Sequence, residues 1–527
     1  MLAHLRRFRP VALVLAVFGA FGAVRSVPAT SPAAAKPNIV VIMTDDETVE
    51  QMKVMPLTRS LIGDAGATFD VSFSSFPLCC PSRSTFLTGQ YAHNHGVLEN
   101  EEPTGGYYRL KSENTLPVWL RKAGYRTIHV GKYLNDYGTK DPREVPPGWD
   151  EWHGLTDPGT YQMWGYQMND NGALTTYGSF EVEDPATYQT DVLRQKAVEQ
   201  IGAAAGGGKP FFMTLWFLAP HREVASLSAQ TAPRPAPRHR NAFADEPLPK
   251  PPSFNEKDMS DKALFMRIKP RLNAADIATI TNQYRRELET LLAVDETVAA
   301  VVSALQSSGV LGNTYVIFTS DNGYFHGEHR TPDEKILGYE NSARVPLLIR
   351  GPGIAAGSHV RELVANVDLA PTIAAWAGAT PGLEMDGRSL IPFIADPSKR
   401  TRRPILLEAF WPLGSTLGFF TEQIPASGVF SRPEGTSSAA GPSLPLPLGK
   451  TIMPYEAVRT DRYVYIEYLT GEHELYDLAE DPWQISSKHL DPAYLATQVA
   501  LAQALTKLRL CRGAACRAQT PVIPDPL

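Results

Sequence analysis

Cys79-Cys80-Pro81-Ser82-Arg83-Ser84-Thr85-Phe86-Leu87-Thr88-Gly89 is where chemistry and architecture meet in this chain. A proline two residues after a cysteine predicts a helix start, with Pro81 at the first helical position, where a missing N–H costs nothing. Cys79 would then lie just before the helix, at the positive end of its dipole and among free backbone N–H groups that favour an anion. Arg83, one turn on, would bring a planar fork suited to clamping a tetrahedral oxyanion. Alone, the same pattern fits a buried cysteine ahead of an ordinary capped helix. The surrounding sequence has to decide.

Working outward, four short apolar runs read as strands buried on both faces. Each leads into a polar side chain suited to a site. Ile39–Met43 runs into Asp45-Asp46, and Thr127–Val130 runs through Gly131 into Lys132. Phe211–Leu218 ends at Pro220-His221, and Tyr315–Thr319 ends at Asp321-Asn322-Gly323. Open α/β sheets bind ligands beyond the carboxyl ends of their strands, so four such ends are expected to converge on one crevice. Helices are expected over Leu116–Ala123 and Ala274–Gln306, the second with Leu288, Leu291, Leu292, Val298, Val302 and Leu305 on a core face. Ala232–Pro252, dense in proline and basic residues, reads as an exposed loop.

The fold class is therefore α/β: a large mixed, mostly parallel sheet flanked by helices, followed by a smaller α+β domain. The expected division is 1–35 for an export signal and small-residue linker, 36–398 for the catalytic domain and 399–527 for the C-terminal domain. In the last, 412–450 is a loop rich in Gly, Ser and Pro. Tyr463–Tyr468 and Glu474–Asp477 form an antiparallel hairpin around Thr470-Gly471, and Ala493–Leu510 forms a closing helix.

Arg6, Arg7 and Arg9 before the apolar run Val11–Val24, with small residues after it, form the pattern of a secretory signal too short for comfortable membrane spanning. The chain is read as exported, with no stable membrane insertion. A net charge of −6 over 527 residues gives no support to nucleic-acid binding. Of only four cysteines, Cys511 and Cys516 are close enough in sequence for a disulfide in an oxidising compartment. Cys79 and Cys80 are left without distant partners.

Asp45, Asp46, Asp321 and Asn322 are hard oxygen donors at strand ends, a set suited to Ca²⁺ or Mg²⁺ and not to zinc. Lys132, Lys335 and Arg83 add positive charge for a group that gains negative charge as it reacts. His221 has the chemistry of a general acid toward a leaving oxygen.

With these residues in place, the chain resembles a formylglycine-dependent sulfatase of the alkaline phosphatase superfamily. The marker is Cys-x-Pro-Ser-Arg with its trailing Leu-Thr-Gly. Agreement runs from Pro37 almost to the C-terminus, through Thr44-Asp45-Asp46, Gly131-Lys132-Tyr133, Ala219-Pro220-His221 and Asp321-Asn322-Gly323. It continues through Lys335, Tyr339-Glu340, Arg344-Val345-Pro346, Asp386-Gly387-Arg388 and Glu474–Leu478. The resemblance implies an alkaline-phosphatase-like fold and oxidation of Cys79 to formylglycine (3-oxoalanine) by a formylglycine-generating enzyme. One hydroxyl of the hydrated aldehyde would attack sulfur and release an alcohol or phenol. The second would expel sulfate from the hemiester. It further implies Ca²⁺, in preference to Mg²⁺, bound by Asp45, Asp46, Cys79, Asp321 and Asn322. Arg83 would steady the formylglycine, while Lys132, His221 and Lys335 contact the sulfate.

Gly131–Asn135 with Tyr137, Cys79-Cys80-Pro81, His93-Asn94-His95 and Pro147–Asp150 with Trp152 look most like the glucosamine-6-sulfatase branch, which includes extracellular heparan-type sulfatases. The implied substrate is a small-molecule or glycan sulfate ester, either an aryl sulfate or a 6-O-sulfated amino sugar. One departure stands out: Leu134 occupies a position where many such enzymes have histidine. His93 and His95 are the nearby candidates to replace it. Tyr161–Tyr166 is an aromatic stretch for stacking on a sugar, or simply core. Two other functions use the same residues: phosphate or phosphonate monoester hydrolysis, and glycan binding without turnover.

Overall fold

The computed structural model describes residues 35–226, 229–410 and 453–526. The expected signal segment and the 412–450 loop lie outside them. A ten-stranded sheet organises the chain. Its five central strands, Thr314–Ser320, Asn38–Asp45, Phe211–Pro220, Arg126–Gly131 and Glu151–Leu155, are mutually parallel. Leu347–Arg350 on one side and Tyr166–Asp170 on the other add antiparallel pairings, which makes the sheet mixed.

Asn38–Asp45 shows why a near-continuous apolar run becomes a central strand. Val40 and Ile42 pack in one core cluster with Leu288, Leu291 and Val298 of helix Ala274–Ser307. Ile39, Val41 and Met43 enter a second cluster with Trp119, Leu120 and Ile373 of helices Leu116–Lys122 and Leu369–Ala377. Both faces are covered by helices, and the period-two alternation assigns each side chain to one layer. Helix Ala274–Ser307 begins with a capping box between Asn273 and Asp276.

Register then builds the site. Thr44 pairs with Ser320, and the Asp321 N–H donates to the Thr44 carbonyl over 3.1 Å. Asp45-Asp46 and Asp321-Asn322 therefore leave the sheet side by side. Gly131 pairs with Trp216 of the next parallel strand, which runs on to Pro220 and His221. The four strand ends do meet.

Helix Cys79–Thr88 starts two residues earlier than expected. Cys79 is its first residue, and Pro81 falls in the third position. Nothing is lost, because the first four N–H groups of a helix lack an internal partner. Gly89 ends it in the left-handed conformation, at φ +67°. Segment 232–252 also differs from an exposed loop. It is irregular apart from the turn Pro237–His239, but Ala236 and Leu248 are buried. Arg234 clamps Glu223 at 2.7 and 2.9 Å, and Arg238 reaches Asp191 and Glu296, so ion pairs hold down a stretch whose composition suggests solvent.

The C-terminal sheet is antiparallel in the order Ile405–Ala409, Tyr455–Arg459, Tyr463–Tyr468, His473–Asp477, with helix Leu495–Leu508 against it. The hairpin turns at Gly471, at φ +83°. The first two strands went unrecognised in the sequence. This sheet shares a core cluster with Phe73, Phe76 and Tyr339 of the larger part. The Tyr455 hydroxyl donates to the Ile336 carbonyl over 2.6 Å, bracing the residue after Lys335. Among the described residues no helix is long and apolar enough to cross a membrane.

Glu408 of this sheet also holds His93, whose Nδ1 lies 2.8 Å from the carboxylate. Burial alone would lower the imidazole's pKa, but Glu408 outweighs it and pushes His93 up to about 9. A raised histidine stabilises the fold fully below its unfolded value of about 6.5 and loses that contribution as pH rises through its folded value. Wild-type unfolding free energy should therefore fall by roughly 2–3 kcal/mol between about pH 6.5 and 9 relative to His93→Gln, as read by urea titrations at both pH values.

Candidate active site

Cys79 lies 1% exposed at the helix start, under the converged strand ends. Its Sγ is 3.4 Å from Asp45 Oδ1 and 2.9 Å from Lys335 Nζ. Burial, reinforced by Asp45, pushes the thiol up to about 12. As an unmodified thiol it stays protonated at neutral pH and is a poor nucleophile. Cys80 points away into the core cluster of Phe86 and Trp216, and its N–H donates to Asn100.

Arg83 does not present its fork to an oxyanion. Fully buried, it donates from Nε to Asp321 Oδ2 over 2.8 Å and from Nη2 to Asp45 Oδ2 over 2.9 Å, with Nη1 on the Lys132 carbonyl. The guanidinium thus locks two acids from different strands in place. Lys132 Nζ donates to the same Asp45 oxygen. Lys335 Nζ donates to Asp46 Oδ1 over 2.5 Å and lies 3.8 Å from Asp45. Burial alone would discharge both ammoniums, but the carboxylates raise Lys132, and Asp46 raises Lys335 further.

His221 faces Asp46 Oδ2 from 3.6 Å through Nε2. Its Nδ1 is 2.7 Å from the Arg222 carbonyl, which can only accept, so the ring proton sits on Nδ1. Burial pushes the imidazole down to about 3. The structure therefore presents a neutral ring with an Nε2 lone pair, and not the proton donor expected from sequence.

Asp45, Asp46, Cys79 and His221 each offer a ligand atom within 4.8 Å of the others. Asn322 borders the group: Nδ2 donates to Asp46 Oδ1 over 2.6 Å, while its buried Oδ1 has no partner. A buried, unpaired carbonyl oxygen costs about 1–3 kcal/mol unless something coordinates it. Burial pushes Asp46 up to about 6 and raises Asp321, and the charge on Asp45 adds to both. Acids strained in this way, with a free carbonyl beside them, are what an oxygen-seeking divalent cation would relieve, so the donor set fits Ca²⁺. Three acids (Asp45, Asp46, Asp321) already face three cations (Arg83, Lys132, Lys335). A dication would leave the site positive, as an anionic substrate requires.

Leu134 is buried in the core cluster of Trp149 and Trp152. Neither proposed substitute reaches the site. His93 bonds Glu408, and His95 accepts from the Val97 N–H and so donates through Nε2 to Thr85. In the aromatic stretch, Trp164 and Tyr166 are core, whereas Tyr161 is half-buried beside Lys132 and His221. That division was not legible: three aromatics within six residues carry no period that separates a site residue from its neighbours.

The sulfatase family profile matches residues 37–379. The chain belongs to the sulfatase family. This sulfatase is 33% identical over 549 residues to the human N-acetylglucosamine-6-sulfatase, covering 99% of this chain and 92% of that one. It is 32% identical over 516 residues to an arylsulfatase of Volvox carteri, covering 91% and 76%. Among solved structures, a protein in complex with its substrate D-glucosamine-2-N,6-O-disulfate superimposes with a TM-score of 0.71. The sequence identity there is 24%, with 90% of this chain and 97% of that one covered. The fold is thus shared with sulfatases, and the chain is an enzyme of that class.

Gly131 turns the chain into the site at φ +108°, and a Cβ there would lie 2.0 Å from the Trp216 carbonyl oxygen. Gly131→Ala should therefore shift Lys132 away from Asp45. We expect a loss of at least about 2 kcal/mol of unfolding free energy and of at least tenfold in turnover, measured together on the purified variant.

Proposed function

We propose that this sulfatase hydrolyses aryl sulfates or 6-O-sulfated amino sugars, with Cys79 matured to formylglycine and Ca²⁺ held beside it. The observation that carries the reading is the packing of Cys79 Sγ among Asp45, Asp46 and His221, with Lys335 on the sulfur. The near-full-length likeness to an N-acetylglucosamine-6-sulfatase supports the amino-sugar ester. The likeness to an arylsulfatase supports simple aryl esters as assay substrates. Burial that keeps the Cys79 thiol protonated at neutral pH supports conversion to a hydrated aldehyde over direct thiolate attack.

Asp45, Asp46, Asp321 and Asn322, with the side chain at 79, would hold the Ca²⁺, which supplies the positive charge an oxygen nucleophile needs to lose its proton at neutral pH. Arg83 keeps Asp45 and Asp321 at a fixed separation throughout. Lys132 and Lys335 stay charged and donate to sulfate oxygens, where negative charge builds on the way to the transition state. Sulfate approaching His221 favours protonation at Nε2, which turns the ring from an acceptor into a donor for the departing oxygen. Maturation calls for a formylglycine-generating enzyme. The signal pattern and the Cys511–Cys516 disulfide support an extracytoplasmic site of action. Within the mature chain, 36–398 carries the chemistry, and 399–527 braces it.

The decisive experiment is peptide mass spectrometry on active protein. The peptide holding Cys79 should carry an aldehyde, and only thiol there would overturn the mechanism. Cys79→Ala should abolish turnover of 4-methylumbelliferyl sulfate without lowering the melting temperature. Chelation should remove activity and Ca²⁺ should restore it. Sulfate, phosphate and phosphonate esters of one phenol, run in parallel, test the ester class. A dominant phosphatase or phosphonatase rate would replace the sulfate assignment.

A further inference from the structure

Lys132 has two neighbours that fix its ammonium. One is Asp45; the other is the face of Tyr161, whose ring centroid lies 4.5 Å from Nζ. The same ring meets the His221 imidazole at 5.2 Å with a 53° tilt. Its hydroxyl accepts from Asn135 Nδ2 over 2.5 Å. Asn135 lies three residues beyond Lys132, so one loop supplies both the ammonium and the amide that pins the ring over it. Tyr161 itself comes from elsewhere, at the end of the turn Gly159–Tyr161. It therefore bridges groups delivered by two separate strand ends, Arg126–Gly131 and Phe211–Pro220.

We propose that Tyr161 is a positioning residue of this active site, whose ring face orients the Lys132 ammonium. The assignment rests on the sulfatase reading above. Its physical basis is the geometry of an ammonium with three donors. One N–H is taken by Asp45, and a ring face attracts the charge without consuming a strong acceptor. A donor is left free for an incoming sulfate oxygen, in a direction that a flexible four-carbon side chain would not hold unaided. Water in place of the ring would solvate the ammonium from any side and weaken its pull on the substrate. The ring does this work; the hydroxyl serves to hold the ring.

The test is a double-mutant cycle on the matured, Ca²⁺-loaded protein with 4-methylumbelliferyl sulfate. Tyr161→Phe, which keeps the ring, should stay within about threefold of wild-type kcat/KM, whereas Tyr161→Leu should lose roughly 30-fold, the fold-change of a desolvated ammonium–ring contact. Most of the loss should fall in kcat, with the melting temperature unchanged. Combining Tyr161→Leu with Lys132→Ala should be no worse than Lys132→Ala alone, because the ring acts through that ammonium. The proposal is overturned if the two losses multiply, or if Phe is as damaging as Leu. Absence of sulfate-ester turnover in wild type would instead overturn the proposed function. The same cycle read as affinity for inorganic sulfate by calorimetry then decides Tyr161, and failure of wild type to bind sulfate overturns both.

Discussion

Everything in this molecule is arranged around charge gathered where water is excluded. Asp45 and Asp321 are buried and tied by one guanidinium, that of Arg83, itself fully buried. A carboxylate in such surroundings costs several kcal/mol unless a partner meets it with good geometry. Arg83 is suited to this because its planar fork spans two acids at once, which the point charge of a lysine cannot do. Once that frame is set, Lys132 and Lys335 have fixed carboxylates to lean on, and Cys79 has fixed neighbours. The arginine acts as the frame on which the reacting groups are hung.

The parallel sheet is what brings the acids to that arginine. Two strands of matched register deliver Asp45-Asp46 and Asp321-Asn322 to the same edge. Two more strands bring Lys132 and His221. The helix that carries Cys79 and Arg83 is buried along its whole length, so it cannot slide without breaking contacts on every side. The small antiparallel sheet contributes from outside, with Tyr455 and Glu474 holding the segment that presents Lys335 and Tyr339. A dication added to this balanced set turns it from neutral to positive. That change would suit a sulfate ester.

Much of this was open to inspection in the amino-acid order. Four of the five central strands, the long helix and the C-terminal hairpin stand where their apolar patterns put them, because burial on two faces leaves a pattern that local sequence carries; the fifth, Glu151–Leu155, has no such run. The acids, lysines and histidine at the strand ends were legible for the same reason: they interrupt those runs. Strands Ile405–Ala409 and Tyr455–Arg459 were not. They lie on either side of a long segment rich in Gly, Ser and Pro; Ile405–Ala409 has no turn partner next to it in sequence, and the short turn that joins Tyr455–Arg459 to Tyr463–Tyr468, Thr460-Asp461-Arg462, carries no Gly, Pro or Asn to mark it. The Arg234 and Arg238 ion pairs were equally hidden, since a basic, proline-rich stretch looks solvated until its acidic partners are known.

Local order alone established the architecture, marked out Cys79 and fixed the chemical type of its neighbours, because strand burial and residue chemistry are properties of short segments. Only the folded chain decided what each charge does. Arg83 turns from oxyanion clamp to frame, His221 carries its proton on Nδ1, His93 and His95 leave the site, and Tyr161 enters it. Those outcomes depend on distances of a few ångströms between residues tens or hundreds of positions apart. Electrostatic roles follow from such distances, and the sequence of residues does not contain them.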